Sequence, residues 1–156
     1  MHIQRNTFVL AAALTCLVAC QSGNQRRDRE ESLASADKQE QKSCFLRLEG
    51  QEKQDSSYIQ LVVRDETVSG VYNVIPHEKD ARRGTVMGKT EGDVIDLVWI
   101  FTQEGKQDTM RVVFRKEGEK LLRKPLSVDA ETGRQVTRDS SAFTEAYEPI
   151  DCLSEQ

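Results

Sequence analysis

The residue types that most often carry chemistry are scarce in this 156-residue chain, which has four cysteines and two histidines. His2 stands at the extreme N-terminus, and His77 lies in the polar stretch IPHEKDARRG. A single imidazole with no nucleophile beside it is typical of an exposed loop residue, because a general base must lie within hydrogen-bond reach of its target. A zinc site needs three or four clustered ligands, and the sequence presents no such cluster. We therefore expect no enzyme activity, no catalytic residue, no metal and no other cofactor.

The first of the informative cysteines, Cys20, ends a short apolar segment. Residues 7–19 carry no charged side chain and follow the start MHIQRN, in which Arg5 is positively charged. The segment is too short for a membrane-spanning helix, which needs about 20 apolar residues. A charged start, a short apolar middle and small residues before the end are typical of a secretory signal. The sequence therefore predicts a signal peptide over 1–19.

The four residues Leu17–Cys20, LVAC, resemble the lipobox of bacterial lipoproteins. In that family the cysteine thiol receives a diacylglycerol, the chain is cleaved just before the cysteine, and the new amine is acylated. The resemblance implies that Cys20 is a lipidation site, with palmitate among its acyl groups, and that the protein is held on the bacterial cell envelope. Gln21, where an Asp would mark inner-membrane retention in enterobacteria, implies the outer membrane.

Two cysteines remain for the mature domain, because Cys16 leaves with the signal peptide and Cys20 carries the lipid. A domain that folds outside the cytosol favours disulfides. A reactive pair usually reads C-x-x-C, whereas Cys44 and Cys152 stand at opposite ends of the remaining chain. The sequence therefore predicts a structural Cys44–Cys152 disulfide.

Charge and composition divide the mature chain into two parts. Residues 20–42 hold the lipidated N-terminus and a stretch in which nearly half of the side chains are charged, so we predict a disordered tether. Residues 43–156 suit a single domain. Acidic side chains outnumber basic ones, 26 to 22 in the full sequence, and no basic stripe is present, which argues against nucleic acid as a partner.

Apolar and polar residues alternate along much of the domain, and this period of two is typical of a β-strand with one buried face. In VIDLVWIFTQ, for example, Ile95, Leu97, Trp99 and Phe101 share one face. Gly-containing turns separate such stretches and predict consecutive antiparallel hairpins. The predicted strands lie near 43–49, 56–65, 67–75, 82–90, 93–103, 107–116, 119–124 and 143–150, with a minor hairpin around 129–133.

The cysteines indicate how this series of hairpins closes. Cys44 begins the first predicted strand and Cys152 follows the last, so a bond between them would place those strands side by side. Closure also removes the unpaired sheet edges that invite aggregation. We therefore predict an all-β fold, a small up-and-down barrel of about eight strands, lipocalin-like in architecture. The alternative is a two-sheet β-sandwich pinned by the same bridge.

The stretch from Cys44 to about Lys124 also resembles a group of small lipoproteins of Gram-negative bacteria, especially Bacteroidota. The resemblance implies a secreted β domain on a lipid anchor and brings no activity with it. The matching residues are Cys44, Gly70, Tyr72, Glu78, Lys79, Asp80, Gly84, Thr85, Gly88, Gly92, Asp93, Glu104, Gly105, Arg111 and Phe114.

These features favour a binding or interaction module over an enzyme. We expect a monomeric barrel that binds a small hydrophobic ligand or a protein partner, with Trp99, Phe101 and Tyr72 as candidate ligand contacts. The alternatives are a structural envelope lipoprotein without a ligand and an inhibitor of an envelope hydrolase. Apolar residues on the second face of the strand around Asp96, such as Val98, predict that the polar excursion 125–142 covers that face.

Overall fold

The barrel begins close to where the sequence predicts it. The computed structural model describes residues 40–152, so the predicted signal peptide, the lipobox and the tether up to residue 39 lie outside the described residues. Within that range no helix could span a membrane. The strands are β1 (Gln41–Glu49), β2 (Asp55–Arg64), β3 (Thr67–Ile75), β4 (Arg82–Glu91), β5 (Val94–Gln103), β6 (Lys106–Glu117), β7 (Lys120–Arg123), β8 (Leu126–Val128), β9 (Gln135–Thr137) and β10 (Glu145–Ile150).

Eight of these strands form a closed antiparallel barrel in the order β1-β10-β7-β6-β5-β4-β3-β2. The predicted up-and-down barrel is therefore confirmed, and the sandwich alternative is not the fold. The remaining two strands, β8 and β9, pair only with each other and form the β8–β9 hairpin. This hairpin, predicted around 129–133, interrupts the long connection between β7 and β10.

The seam that closes the barrel joins its first and last strands. β1 pairs with β10 over three residue pairs, from Cys44 opposite Ile150 to Leu46 opposite Glu148. Cys44 is bonded to Cys152 just beyond this seam, with a Cα–Cα distance of 5.1 Å. The predicted disulfide and its role in placing β1 beside β10 are both confirmed.

Side chains fill the middle of the barrel. Tyr72, Trp99, Phe114 and Tyr147 are completely buried. The Tyr72 ring centroid lies 4.5 Å from that of Trp99 and 5.7 Å from that of Phe114. Tilted and edge-on ring contacts of this kind are favourable beyond the area that they bury.

Glycines on the inner face make room for these rings. Gly84 of β4 lies opposite Tyr72 of β3 and Phe101 of β5. A Cβ at this position would stand only 1.9 Å from the carbonyl oxygen of Ile100. The neighbouring strand therefore approaches the backbone so closely that only glycine fits, as expected at a strongly bent barrel strand.

The two ends of the barrel differ in what they carry. At one end, β1 starts, β10 finishes and the Cys44–Cys152 bridge forms; we call this the disulfide end. At the other end lie the β5–β6 turn at Glu104 and Gly105 and the connection with the β8–β9 hairpin; we call this the hairpin end. The candidate site lies at the hairpin end.

The expectation that the excursion covers the outer face of β5 is wrong. Val98 on that face is 48% exposed, and its cross-strand partner Met87 is 56% exposed. The excursion instead crosses β6, where Thr137 Oγ1 donates to the Arg111 carbonyl at 2.8 Å. The outward-facing Val113 of β6 is buried. The physical reason is chain length: β7 has only four residues, so the following segment lies beside the rest of β6.

Candidate functional site

A cavity of about 370 Å³ opens at the hairpin end of the barrel, and we call it the mouth cavity. Its walls combine aromatic and apolar side chains with charged and amide groups. The lining residues are Arg82, Phe101, Gln103, Glu104, Lys106, Asp108, Met110, Gly133, Arg134 and Gln135.

Strand register directs one set of these side chains to the inner face. Phe101 of β5 lies opposite Asp108 of β6, and Gln103 lies opposite Lys106. Because side chains alternate along a strand, these residues share a face with the buried Trp99. The turn between the two strands has positive φ at both central residues, 51° at Glu104 and 73° at Gly105. This is the backbone of a tight hairpin turn that suits the twist of the strands.

The β8–β9 hairpin supplies the opposite wall. Its turn is organised by Asp129, whose Oδ1 accepts hydrogen bonds from the backbone N and the Oγ1 of Thr132, at 2.9 and 2.8 Å. Gly133 completes the turn with φ of 67°. Arg134 then donates from Nη2 to Asp108 Oδ1 at 2.6 Å. This ion pair joins the hairpin to β6 across the cavity wall.

Arg82 is held on the β4 side of the cavity by neutral groups. Its Nε donates to Gln103 Oε1 at 2.7 Å, and its Nη1 donates to Gln135 Oε1 at 2.5 Å. The guanidinium carbon lies 5.3 Å from the centroid of the Phe101 ring, a cation–π distance. Two amides and a ring therefore fix the orientation of this cation.

The carboxyl groups of the cavity have opposite pKa shifts. The pKa of Asp108 is lowered, chiefly by the hydrogen bond from Arg134 and then by the backbone N–H of Thr109. The pKa of Glu104 is raised, because it shares a hydrogen bond with the carboxyl of Asp80 and feels its negative charge. Asp108 is thus the ionic partner of Arg134. Within residues 40–152, no three potential metal ligands are grouped closely enough to hold an ion.

The three residues predicted as ligand contacts form one stack that runs from the cavity into the core. Phe101 lines the cavity, and its ring centroid lies 4.4 Å from that of Trp99. Trp99 donates from Nε1 to the carbonyl oxygen of Tyr72 at 3.0 Å. Trp99 and Tyr72 are fully buried beneath Phe101, so of the three only Phe101 lines the cavity wall.

Beside this stack lies a buried polar cluster that sequence reasoning missed. Glu145 accepts a hydrogen bond from Arg123 Nε at 2.5 Å and lies 3.1 Å from Arg47 Nη1, without hydrogen-bond alignment in the second case. Arg123 Nη1 also donates to the Tyr72 hydroxyl, which is 2.8 Å from that of Tyr147. Burial raises the pKa of Tyr72 well above 10, so the phenol stays protonated. We call Arg47, Glu145 and Arg123 the carboxylate bridge.

One sequence signal could have located this bridge. Arg123 follows the buried Leu121 by two residues, and Glu145 precedes the buried Tyr147 by two. Period-two alternation therefore places both charges on the inner face. Opposite charges at inward positions of paired strands, here Arg123 opposite Glu145, predict a buried ion pair.

The fold and the cavity together define the class: a small, closed, eight-stranded antiparallel β-barrel with an open, mixed polar and aromatic cavity at one end. No protein-family model, no curated protein and no solved structure matches the chain. The geometry of the cavity is therefore the guide to function.

Proposed function

We propose that this chain is a lipid-anchored protein of the bacterial cell envelope whose barrel binds a small ligand in the mouth cavity. The observation that carries the proposal is the cavity itself, about 370 Å³ in volume and backed by the aromatic stack of Phe101 and Trp99. Sites for small molecules typically occupy 300–1,000 Å³ and combine apolar walls with a few fixed polar groups.

The position of the ligand follows from the packing beneath the cavity. Tyr72 and Trp99 are completely buried and fill the barrel at that level, so a ligand binds above them, at the mouth. Phe101 and Met110 offer apolar contact there, whereas Gln103 and Arg82 offer hydrogen-bond donors and acceptors. This arrangement suits a compact molecule with an apolar body better than a long acyl chain.

The envelope location and the lipid anchor rest on the LVAC motif at Leu17–Cys20 and on the disulfide. The Cys44–Cys152 bridge is compatible with folding in an oxidising compartment. An anchor of two or more acyl chains would hold the domain firmly at a membrane surface, whereas a single chain binds only marginally.

A second candidate function, binding of a protein partner, is favoured by one observation on the outside of the barrel. Met87 and Val98 are paired across β4 and β5, and both side chains are about half exposed. Contiguous exposed apolar patches larger than a few hundred Å² are typical of protein-binding surfaces, and this pair would lie within such a patch.

A matched pair of variants separates the two candidates. Met110→Trp enlarges a cavity-lining side chain and fills part of the mouth, whereas Met87→Trp makes the same change on the outer face. The full lipidated chain, isolated from membranes in mild detergent, is analysed by native mass spectrometry. The wild type and Met87→Trp should carry the same extra mass, which disappears on denaturation, and Met110→Trp should lose it.

Each other outcome points elsewhere. An extra mass retained by Met110→Trp would contradict binding in the mouth cavity. The second candidate would be favoured if the wild type carries no small molecule but co-purifies with a protein, and if Met87→Trp no longer co-purifies with that protein. A bare wild type with no partner in either variant would favour the structural alternative.

A further inference from the structure

We propose that Arg82 is the residue that recognises the ligand, and that the ligand carries an oxyanion, such as a carboxylate or phosphate, on a compact apolar body. This inference rests on the proposed function, since it assigns a ligand class to the mouth cavity. The inference specifies the charge of the ligand and the residue that binds the charged group.

Arg82 retains N–H donors that its two amide partners do not use. A guanidinium has five N–H groups, and the two hydrogen bonds to Gln103 and Gln135 each use one. Three N–H groups of a half-buried arginine are therefore left for other acceptors. Planar pairs of N–H groups match the two oxygens of a carboxylate or phosphate, which is why arginine is common at such sites.

Arg82 also lacks an ionic partner among the described residues. Among residues 40–152, no carboxylate lies within 4.0 Å of its nitrogens, and both of its hydrogen-bond acceptors are neutral amides. Arg134 in the same cavity differs, because it is paired with Asp108 at 2.6 Å. Arg82 lies near enough to contribute a minor part of the lowered pKa of Asp108, yet it forms no pair with it.

Arg82 is preorganised by contacts with two separate elements. The amide of Gln103 comes from the inner face of β5 and that of Gln135 from β9, so Arg82 is gripped from two elements. The Phe101 ring beneath it removes further freedom. A cation whose orientation is already fixed loses little entropy when a ligand binds, which favours affinity. Because both glutamine acceptors are neutral, they leave the positive charge of Arg82 available to pair with an anionic ligand.

The apolar part of the ligand follows from the cavity surface next to Arg82. Phe101 and Met110 line the same cavity, so an oxyanion on Arg82 would place the rest of the molecule against a ring and a thioether. Glu104 and Asp108 also line the cavity, and they disfavour a ligand with more than one anionic group. A single oxyanion on a flat or compact apolar body meets both conditions.

The test uses two probes of nearly the same shape: naphthoate and its uncharged amide, naphthamide, in which an NH2 group replaces one of the two oxygens. Binding to the full lipidated chain in detergent is measured by calorimetry, with detergent alone as the blank. The variants are Arg82→Gln, the conservative Arg82→Lys, and Arg83→Gln as the control. Arg83 is the next residue along β4 and is exposed on the outer face, so the control removes the same charge from the same strand.

We expect naphthoate to bind the wild type more tightly than naphthamide. Arg82→Gln should weaken naphthoate by about 10- to 100-fold, the usual effect of losing hydrogen bonds to a charged group. It should weaken naphthamide much less, because the amide offers a single neutral acceptor, and Arg83→Gln should resemble the wild type for both probes. Arg82→Lys should fall in between, since it keeps the charge but loses the paired N–H groups. Circular dichroism checks that each variant is folded.

The failure of this inference can be told from the failure of the proposed function. If Met110→Trp abolishes the binding of both probes while Arg82→Gln changes neither, the mouth binds ligands but Arg82 does not read an oxyanion. If the wild type binds neither probe, or if Met110→Trp has no effect on either, the mouth cavity is not a binding site and both proposals are overturned.

Discussion

The carboxylate bridge offers a quantitative test of what holds the barrel together. Glu145 stands between Arg123 and Arg47, whose side chains are only 10% and 19% exposed. Glu145→Gln keeps the shape of the side chain but removes its charge, so the largely buried Arg123 loses its carboxylate partner, whereas Arg47 keeps its ion pair with Glu49 at 2.7 Å. Removing one partner of a buried ion pair typically costs about 3–5 kcal/mol, because the remaining charge stays desolvated.

The same strand provides a control for this substitution. Glu148 lies on the outer face of β10 and forms an ion pair with Lys120 at 2.6 Å, with both side chains more than half exposed. Exposed pairs contribute only about 0–1 kcal/mol. Glu148→Gln therefore makes the same chemical change three residues along β10 and should leave the free energy of unfolding nearly unchanged.

Urea unfolding followed by tryptophan fluorescence measures both variants. Trp99 is the single tryptophan of the chain and is completely buried, so its emission reports the opening of the core. With a slope of about 1.5 kcal/mol per molar urea, Glu145→Gln should lower the midpoint by about 2–3 M. Midpoints for Glu145→Gln and Glu148→Gln that agree within error would refute the role given to the bridge.

The effect should also depend on pH in a defined direction. Burial alone would raise the pKa of Glu145, but the hydrogen bond and charge of Arg123, together with the charge of Arg47, outweigh it and lower the pKa. A lowered pKa in the folded state means that the ionised carboxylate stabilises the protein above the ordinary pKa of a glutamate. This stabilisation is lost as the pH falls through the lowered value. The difference between wild type and Glu145→Gln should therefore be constant near neutral pH and shrink in acid.

Three further predictions concern other parts of the chain. Reduction of the Cys44–Cys152 bridge, which joins residues 108 positions apart, should lower the free energy of unfolding by roughly 4–5 kcal/mol; equal urea midpoints with and without reductant would contradict this. Gly84→Ala should lower the free energy of unfolding by at least about 2 kcal/mol, because its Cβ would meet a β5 carbonyl. Gly92 has φ of 61° and open space around it, so Gly92→Ala should lower it by only about 1 kcal/mol, and equal urea midpoints for the two variants would contradict this. Cys20→Ser should release the protein from membranes, and unchanged partitioning into detergent would disprove lipidation.

Most of the barrel could be predicted from the sequence because one side of every strand is buried. Alternation with period two places Trp99 and Leu97 inward, and a shift of one residue would expose them, so the pattern fixes both strand and register. The spacing of Cys44 and Cys152 then supplied the closure that strand patterns alone leave undefined. All eight barrel strands begin and end within a few residues of the predicted positions.

The site was harder to predict, because it depends on where the irregular connection lies. The mouth cavity needs Arg134 and Gln135, which belong to a hairpin whose position is set by the short β7. The same uncertainty led to the wrong expectation for Val98, since no pattern in 125–142 tells which outer strand it crosses. The role of Arg82 depends on its contact with Gln135, which lies 53 residues further along the chain.

The position of the disulfide has a mechanical consequence for a chain pulled from its N-terminus. Force applied at residue 40 reaches Cys44 after only three residues of β1, and there it meets a covalent bond to Cys152. The force is then shared between β1 and the segment that follows β10. It does not separate β1 from its neighbouring strands one hydrogen bond at a time. The bridge thus acts as a clamp at the disulfide end, and the mouth cavity at the opposite end stays outside the path of the force.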